Sequence, residues 1–237
     1  MSANRVTAIV PAYNEERTIA GVLAVLTASP VLDEILVVDD GSTDHTAEIV
    51  KTEFPQVRLV SREKNGGKGG ALWIGALFAK NPVLLFCDAD LTGLSVSHIA
   101  DLVDPVVKGK VRMVAGVIEK MAAWKDTSWG RKHGPFSEPA WISGSDPFSE
   151  FMKGIGGQKV LLRQDFLQIP GIAGSGYGVE HVIINYFKAN GLPLEYYVLR
   201  GVGHVWKLDK WGIVRGLPKE IKAFVIMGWQ YLTRFKE

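Results

Sequence analysis

Two carboxylates one residue apart, Asp88 and Asp90 in VLLFCDADLTG, stand where an apolar run ends. Like charges this close do not both ionise cheaply unless a cation joins them, and a divalent ion that also touches a diphosphate would neutralise both sides. Three further segments carry groups of the same kind: PAYNEE from Pro11, DDGST from Asp39 and NGGKGG around Lys68. Glycines beside a lysine bring backbone amides and one point charge against phosphates. The string GGKGG fits neither GxxxxGK[ST] nor GxGxxG, which excludes a P-loop and a dinucleotide fingerprint. Singly, each feature has a blander explanation. Acidic pairs at strand ends solvate turns or cap helices, Asp39 with Asp40 makes a turn, and an isolated lysine is solvated. Their coincidence at one sheet edge is what points to chemistry.

The elements that must bring them together follow from periodicity. Apolar strand-like runs alternate with helical patterns, the signature of βαβ units and a largely parallel sheet. RVTAIVPAY is the first strand. A helix is expected over NEERTIAGVLAVLTAS, with Asn14 as its cap and Ile19, Val22, Leu23 and Leu26 on one face. EILVVDDGST repeats the plan, its helix beginning at about Ser42 with Ala47 and Val50 inward. VRLVSR, VLLFCDAD and VRMVAGVIE read as strands, while GGKGGALWIGALFAKN and SVSHIADLVDPVVKG read as helices. In open α/β sheets ligands sit beyond the carboxyl ends of the strands, and there all four motifs fall.

After Glu119 the pattern breaks into a stretch rich in Trp, Gly, Pro and Ser. Its Trp124, Trp129 and Trp141 either close over a ligand or pack back on the domain. Order returns with GGQKVLLRQDFLQI, in which Arg163 reads as a surface residue, then a helix over GYGVEHVIINYFKANG and the strand PLEYYVLRGVGHV. The expected organisation is one domain over 1–205, divided into 1–118 and 119–205, with an amphipathic helical appendage over 206–237.

Composition sets the outer bounds. A chain of 237 residues, 47% hydrophobic, buries a sizeable core, and a net charge of +2 is too mild for nucleic-acid binding. Cys87 is the single cysteine, so an internal disulfide is excluded, and a reduced core thiol is expected. No signal-peptide pattern and no apolar run of about 20 residues appears, which makes the cytoplasm the expected address. The tail mixes aromatic and basic residues, as an interfacial helix does and as a helix pair with a solvated basic face also does.

IVPAYNEERTI, EILVVDDGSTDHT, NGGKGGAL and LLFCDADLTG resemble the nucleotide-sugar-binding half of family-two glycosyltransferases of the GT-A fold, such as the dolichyl-phosphate mannose synthases. From Gly176 on, the sequence is similar to a second signature, found in glucosyl-3-phosphoglycerate synthases and related enzymes. The resemblance implies an α/β GT-A fold with a Rossmann-like, mostly parallel sheet and helices on both faces. It implies that Pro11, Ala12, Tyr13, Glu15 and Asp40 hold base and ribose, that Lys68 meets the diphosphate, and that Asp88 and Ala89 lie near the ribose. Asp90 and His204 would hold Mn²⁺ or Mg²⁺, with imidazole tilting the site toward Mn²⁺.

The implied reaction transfers a sugar from a UDP- or GDP-linked donor to an acceptor, either a polyprenyl phosphate or a small phosphorylated molecule. Asp90 serves it through the cation, and Glu180 is either its base or a helix-capping carboxylate. Where many inverting relatives carry a Glu-Asp pair this chain has GYGVEH, which leaves the stereochemical course open. Gln158 and Trp141 are the acceptor-side candidates. Expected partners are the donor sugar, a membrane surface met by the C-terminal helix, and a second copy in a homodimer, with no nucleic acid. The competing readings are a catalytically silent scaffold of the same fold, which would have lost the metal set, and a sugar nucleotidyltransferase, whose glycine-rich opening is replaced here by PAYNEE.

Overall fold

The computed structural model describes residues 5–118 and 153–205, together with Val225. The first half alternates strand and helix: β1 (Val6–Ala12), α1 (Ile19–Thr27), β2 (Glu34–Asp39), α2 (Thr46–Glu53), β3 (Arg58–Ser61), α3 (Gly67–Phe78) and β4 (Val83–Phe86). A short β5 (Leu91–Thr92), α4 (Val96–Val107) and β6 (Met113–Ile118) follow. The second described segment holds β7 (Lys159–Leu162), α5 (Arg163–Leu167), α6 (Val179–Ala189), β8 (Leu194–Leu199) and β9 (Gly203–His204).

Among the described residues, seven strands form one sheet in the order β3-β2-β1-β4-β7-β6-β8, and β5 pairs with β9 in a separate ribbon. The sheet is mostly parallel, as expected. Its exception is β7, which runs antiparallel between β4 and β6. Alternation along the strands builds two cores. Val6, Ala8 and Val10 of β1, Leu85 of β4 and Val160 of β7 pack with α1, α2 and α4, while Ile9, Leu84, Phe86 and Leu161 pack with α3, α5 and α6. Burying each such Val, Leu, Ile or Phe contributes roughly 1.5–3 kcal/mol. Helix α3 lies close on β1, since a Cβ on Gly75 would fall 2.5 Å from Ile9 Cγ2.

Several boundaries differ from the sequence expectation. Asn14 does not cap α1: it adopts a left-handed φ of 57° and joins two loops, its N–H donating to Ser42 Oγ (2.9 Å) and its Oδ1 accepting from Thr43 N–H (2.8 Å). Asparagine tolerates that region because its short amide bonds locally. The helix therefore starts at Ile19, one turn late, with neither glutamate in its first turn, and α2 starts at Thr46 rather than Ser42. Val50 points inward as expected, whereas Ala47 is only half-buried. Arg163 is half-buried, donating Nε to Ala76 O (2.6 Å) and Nη2 to Leu77 O (3.2 Å) at the end of α3. Strand β4 ends at Phe86, so Asp88 and Asp90 stand beyond the sheet. Among the described residues no helix is long and apolar enough to cross a membrane.

Candidate active site

The glycine loop before α3 is shaped by Asp40. The Asp40 carboxylate, buried at the end of β2, accepts from Gly66 N–H (3.0 Å) and Gly67 N–H (2.8 Å) and pairs with the Arg62 guanidinium. Its own N–H donates to Ala12 O (2.8 Å), which ties the loop to β1. Asp40 was expected at the base or ribose; the structure places it beneath the loop that delivers Lys68. Asp39 is likewise buried and accepts from Ser42 N–H (3.0 Å), closing the turn.

Lys68 lies in the first turn of α3, Glu180 in the first turn of α6, and Asp88 just past β4. The Lys68 ammonium sits 2.5 Å from Asp88 Oδ1 and 2.5 Å from Glu180 Oε1. Burial works to lower its pKa, but the charges of Asp88 and Glu180 outweigh that and hold it well above the ordinary lysine value. A lysine at a helix N-terminus faces the unfavourable end of the dipole, and the two carboxylates compensate it. Glu180 is buried, and its second oxygen, Oε2, has no hydrogen-bond partner among the described residues.

Asp88 is supported from behind. Gln158 Nε2 donates to its Oδ2 (3.0 Å), and Gly157 packs so closely that a Cβ there would fall 2.1 Å from the same oxygen. Any side chain at 157 would displace the carboxylate. Gln158, expected near the acceptor, is fully buried in this supporting place.

Pairing of Leu91 with His204 carries the imidazole to Asp90, with Nδ1 3.3 Å from Oδ1, and Val205 N–H donates to Asp90 O (3.0 Å). Burial alone would lower the pKa of His204, but the contact with Asp90 and the charge of Asp88 raise it above the usual imidazole value. One ligand atom from each of Asp88, Asp90 and His204 lies within 4.8 Å of the others. Two hard carboxylates and one imidazole fit Mn²⁺ or Mg²⁺. Asp88, expected beside the ribose, thus also belongs to the candidate cation set.

The remaining candidates take different places. Pro11 and Ala12 end β1 in register with Val38 and Asp39, and Tyr13 and Glu15 follow half-buried, with Glu15 N–H donating to Thr46 Oγ1 (2.8 Å). Ala89 is buried between the two carboxylates, and Cys87 is a buried free thiol whose pKa burial pushes up. Trp124, Trp129, Trp141 and the 206–237 appendage, Val225 apart, lie outside the described residues. Sequence reasoning missed Arg62 and Lys159. For Lys159 a signal existed, since it runs directly into the apolar run VLL of a strand that is buried on both faces.

Residues 7–175 match the Glycosyl transferase family 2 profile. The chain is 42% identical over 96 residues to a dolichyl-phosphate beta-glucosyltransferase of Trichomonas vaginalis, covering 35% of this chain and 28% of that protein. It is 26% identical over 215 residues to a glucosyl-3-phosphoglycerate synthase of Mycolicibacterium paratuberculosis, covering 83% of this chain and 64% of that protein. The chain therefore spans less than two thirds of these relatives' length. The solved glucosyl-3-phosphoglycerate synthase of Mycobacterium tuberculosis, in complex with Mn²⁺, UDP-glucose and phosphoglyceric acid, superposes with a TM-score of 0.65 at 22% identity, over 91% of this chain and 79% of that one. A complex of the same enzyme with Mg²⁺ and UDP gives a TM-score of 0.64 at 22% identity, over 91% and 79% of the two chains. At that identity the likeness shows the fold. With the GT-A fold and a profile match over most of its length, the chain belongs to glycosyl transferase family 2.

Proposed function

We propose that this chain is a metal-dependent hexosyltransferase that moves a sugar from UDP-glucose or a similar nucleoside-diphosphate sugar to the hydroxyl of a small phosphorylated acceptor. The carrying observation is the meeting of Asp88, Asp90 and His204 within 4.8 Å, beside Lys68, at the carboxyl ends of the central strands. A silent scaffold would have no use for that set. Mn²⁺ or Mg²⁺ held by Asp90, His204 and Asp88 would supply positive charge to the leaving diphosphate.

The chain's own residues divide the rest of the work. The loop folded by Asp40 offers backbone amides, and Lys68 a point charge, toward the diphosphate as its bond to the anomeric carbon breaks. Pro11, Ala12, Tyr13 and Glu15 border the place for the base and ribose. Glu180, with Lys68 on Oε1 and a buried Oε2 that has no partner among the described residues, is the proposed base for the acceptor hydroxyl, which would have to reach Oε2 as it enters. The organisation retained is one catalytic domain over 1–205 and an appendage over 206–237.

The choice of acceptor is supported by the mycobacterial relative, whose match of 215 residues is too long to be confined to the donor half. The test is release of UDP from UDP-glucose with phosphoglyceric acid, Mn²⁺ present or withheld. Metal-dependent release that needs the acceptor supports the reading. Release only with a polyprenyl phosphate would move the acceptor to the membrane, and none with either would promote the scaffold.

A further inference from the structure

Lys159 opens β7, an interior strand of the sheet, in register with Phe86 of β4 and Ala115 of β6. It is fully buried. Val160 packs toward α1 and α4 and Leu161 toward α3 and α6, so alternation sets Lys159 on the face where Lys68 meets Glu180. Removing an ammonium from water is costly, and burial pulls its pKa down to about 8 although nearby Glu180 pushes the other way. Apolar neighbours would have made a leucine or methionine the more stable choice.

What the lysine does there is visible in its bond. Nζ donates to the carbonyl of Gly156, its one acceptor among the described residues, and closes a turn over residues 156–159. That turn is tied to β6 by Gly116 N–H donating to Gln158 O (2.7 Å). It then meets Asp88 twice, through the Gln158 amide at 3.0 Å and through the bare Cα of Gly157. Without the Lys159 bond the Gly156-Gly157 backbone has no side chain of its own to hold it.

We propose that Lys159 is a positioning residue for the donor site: by holding the Gly156 carbonyl it sets the 156–158 turn against Asp88 and fixes the direction of that carboxylate. The inference rests on the reading of Asp88 as part of the metal and donor site. Lys159 itself touches no reactant. A lysine retained only to balance the charge of Glu180 would leave the turn and Asp88 unmoved when replaced.

The test is Lys159→Met in the full chain, compared with wild type by hydrogen exchange of the 154–160 backbone without ligand, by Mn²⁺ titration in the presence of UDP followed by electron paramagnetic resonance, and by steady-state kinetics. The expected result is faster exchange confined to that turn, a loss of about 10–100-fold in Mn²⁺ affinity, and a matching rise in donor KM with acceptor KM unchanged. Unchanged exchange and affinity would overturn the proposal. If wild type binds no Mn²⁺, the donor-site reading has failed, and exchange alone decides whether Lys159 holds the turn. Gln158→Met keeps the test open should Lys159→Met not fold: it cuts the link to Asp88, so weaker Mn²⁺ binding supports the route and wild-type binding overturns it.

Discussion

Lys68 and Glu180 are 112 positions apart in sequence, and their Nζ and Oε1 atoms are 2.5 Å apart in the fold. The contact joins the first turns of α3 and α6, and Asp88 completes it from the end of β4. A cation thus already stands between two carboxylates at the place where the donor's diphosphate is proposed to arrive.

Removing that cation leaves Asp88 and Glu180 facing each other without compensation. Lys68→Met is expected to lower stability by on the order of 3 kcal/mol, the range for breaking a buried pair. Adding Glu180→Gln should recover part of the loss. Urea unfolding of the two single variants and the double variant gives the coupling; additive effects would contradict the pairing.

Gly157→Ala inserts a Cβ that would fall 2.1 Å from Asp88 Oδ2. The carboxylate must turn away, and Mn²⁺ binding with UDP should weaken by about tenfold or more. Calorimetric titration measures it.

His204→Ala removes the one nitrogen ligand of the candidate set. Mn²⁺ should lose more affinity than Mg²⁺, because imidazole nitrogen binds a transition-metal ion better than the harder, oxygen-preferring Mg²⁺. Parallel titrations of the two ions decide this, and equal losses would place His204 outside the coordination.

The pH dependence of stability carries the mark of Lys159. Its pKa of about 8 in the fold lies below the ordinary 10.5 that it regains on unfolding. Between these values the unfolded chain binds more protons, so raising the pH favours the folded state; below about 8 both forms are protonated and the burial cost is present in full. Relative to Lys159→Met, the wild type should therefore gain stability as the pH rises from about 8 toward 10.5, with a constant difference below about 8. Urea midpoints of both proteins across that interval test this, and parallel curves would contradict it.

The strands and the donor-side motifs were legible in the sequence because both are local signals. Five apolar residues before Asp88 and Asp90 announce a strand and its exit, and glycines around Lys68 announce a loop. Asn14 misled because cap and turn residues share one chemistry, and its left-handed φ reports a bridge to Ser42 and Thr43 that no local pattern encodes. The antiparallel insertion of β7 was hidden for a related reason: strand order is a long-range property, and KVLL reads alike in either direction. The contacts of Asp40 were not legible either, since only the folded loop shows Gly66, Gly67 and Arg62 converging on it.

Thermal unfolding with UDP, with and without Mn²⁺, in wild type and Asp90→Ala shows whether a cation-dependent nucleotide site is built on Asp90. A ligand at a hundred times its Kd adds about 2.7 kcal/mol to the folded state. Wild type should be stabilised by UDP with Mn²⁺ well beyond the effect of either alone, and Asp90→Ala should lose that gain while unfolding cooperatively. No metal-dependent stabilisation of the wild type, or an equal gain in Asp90→Ala, would contradict the account.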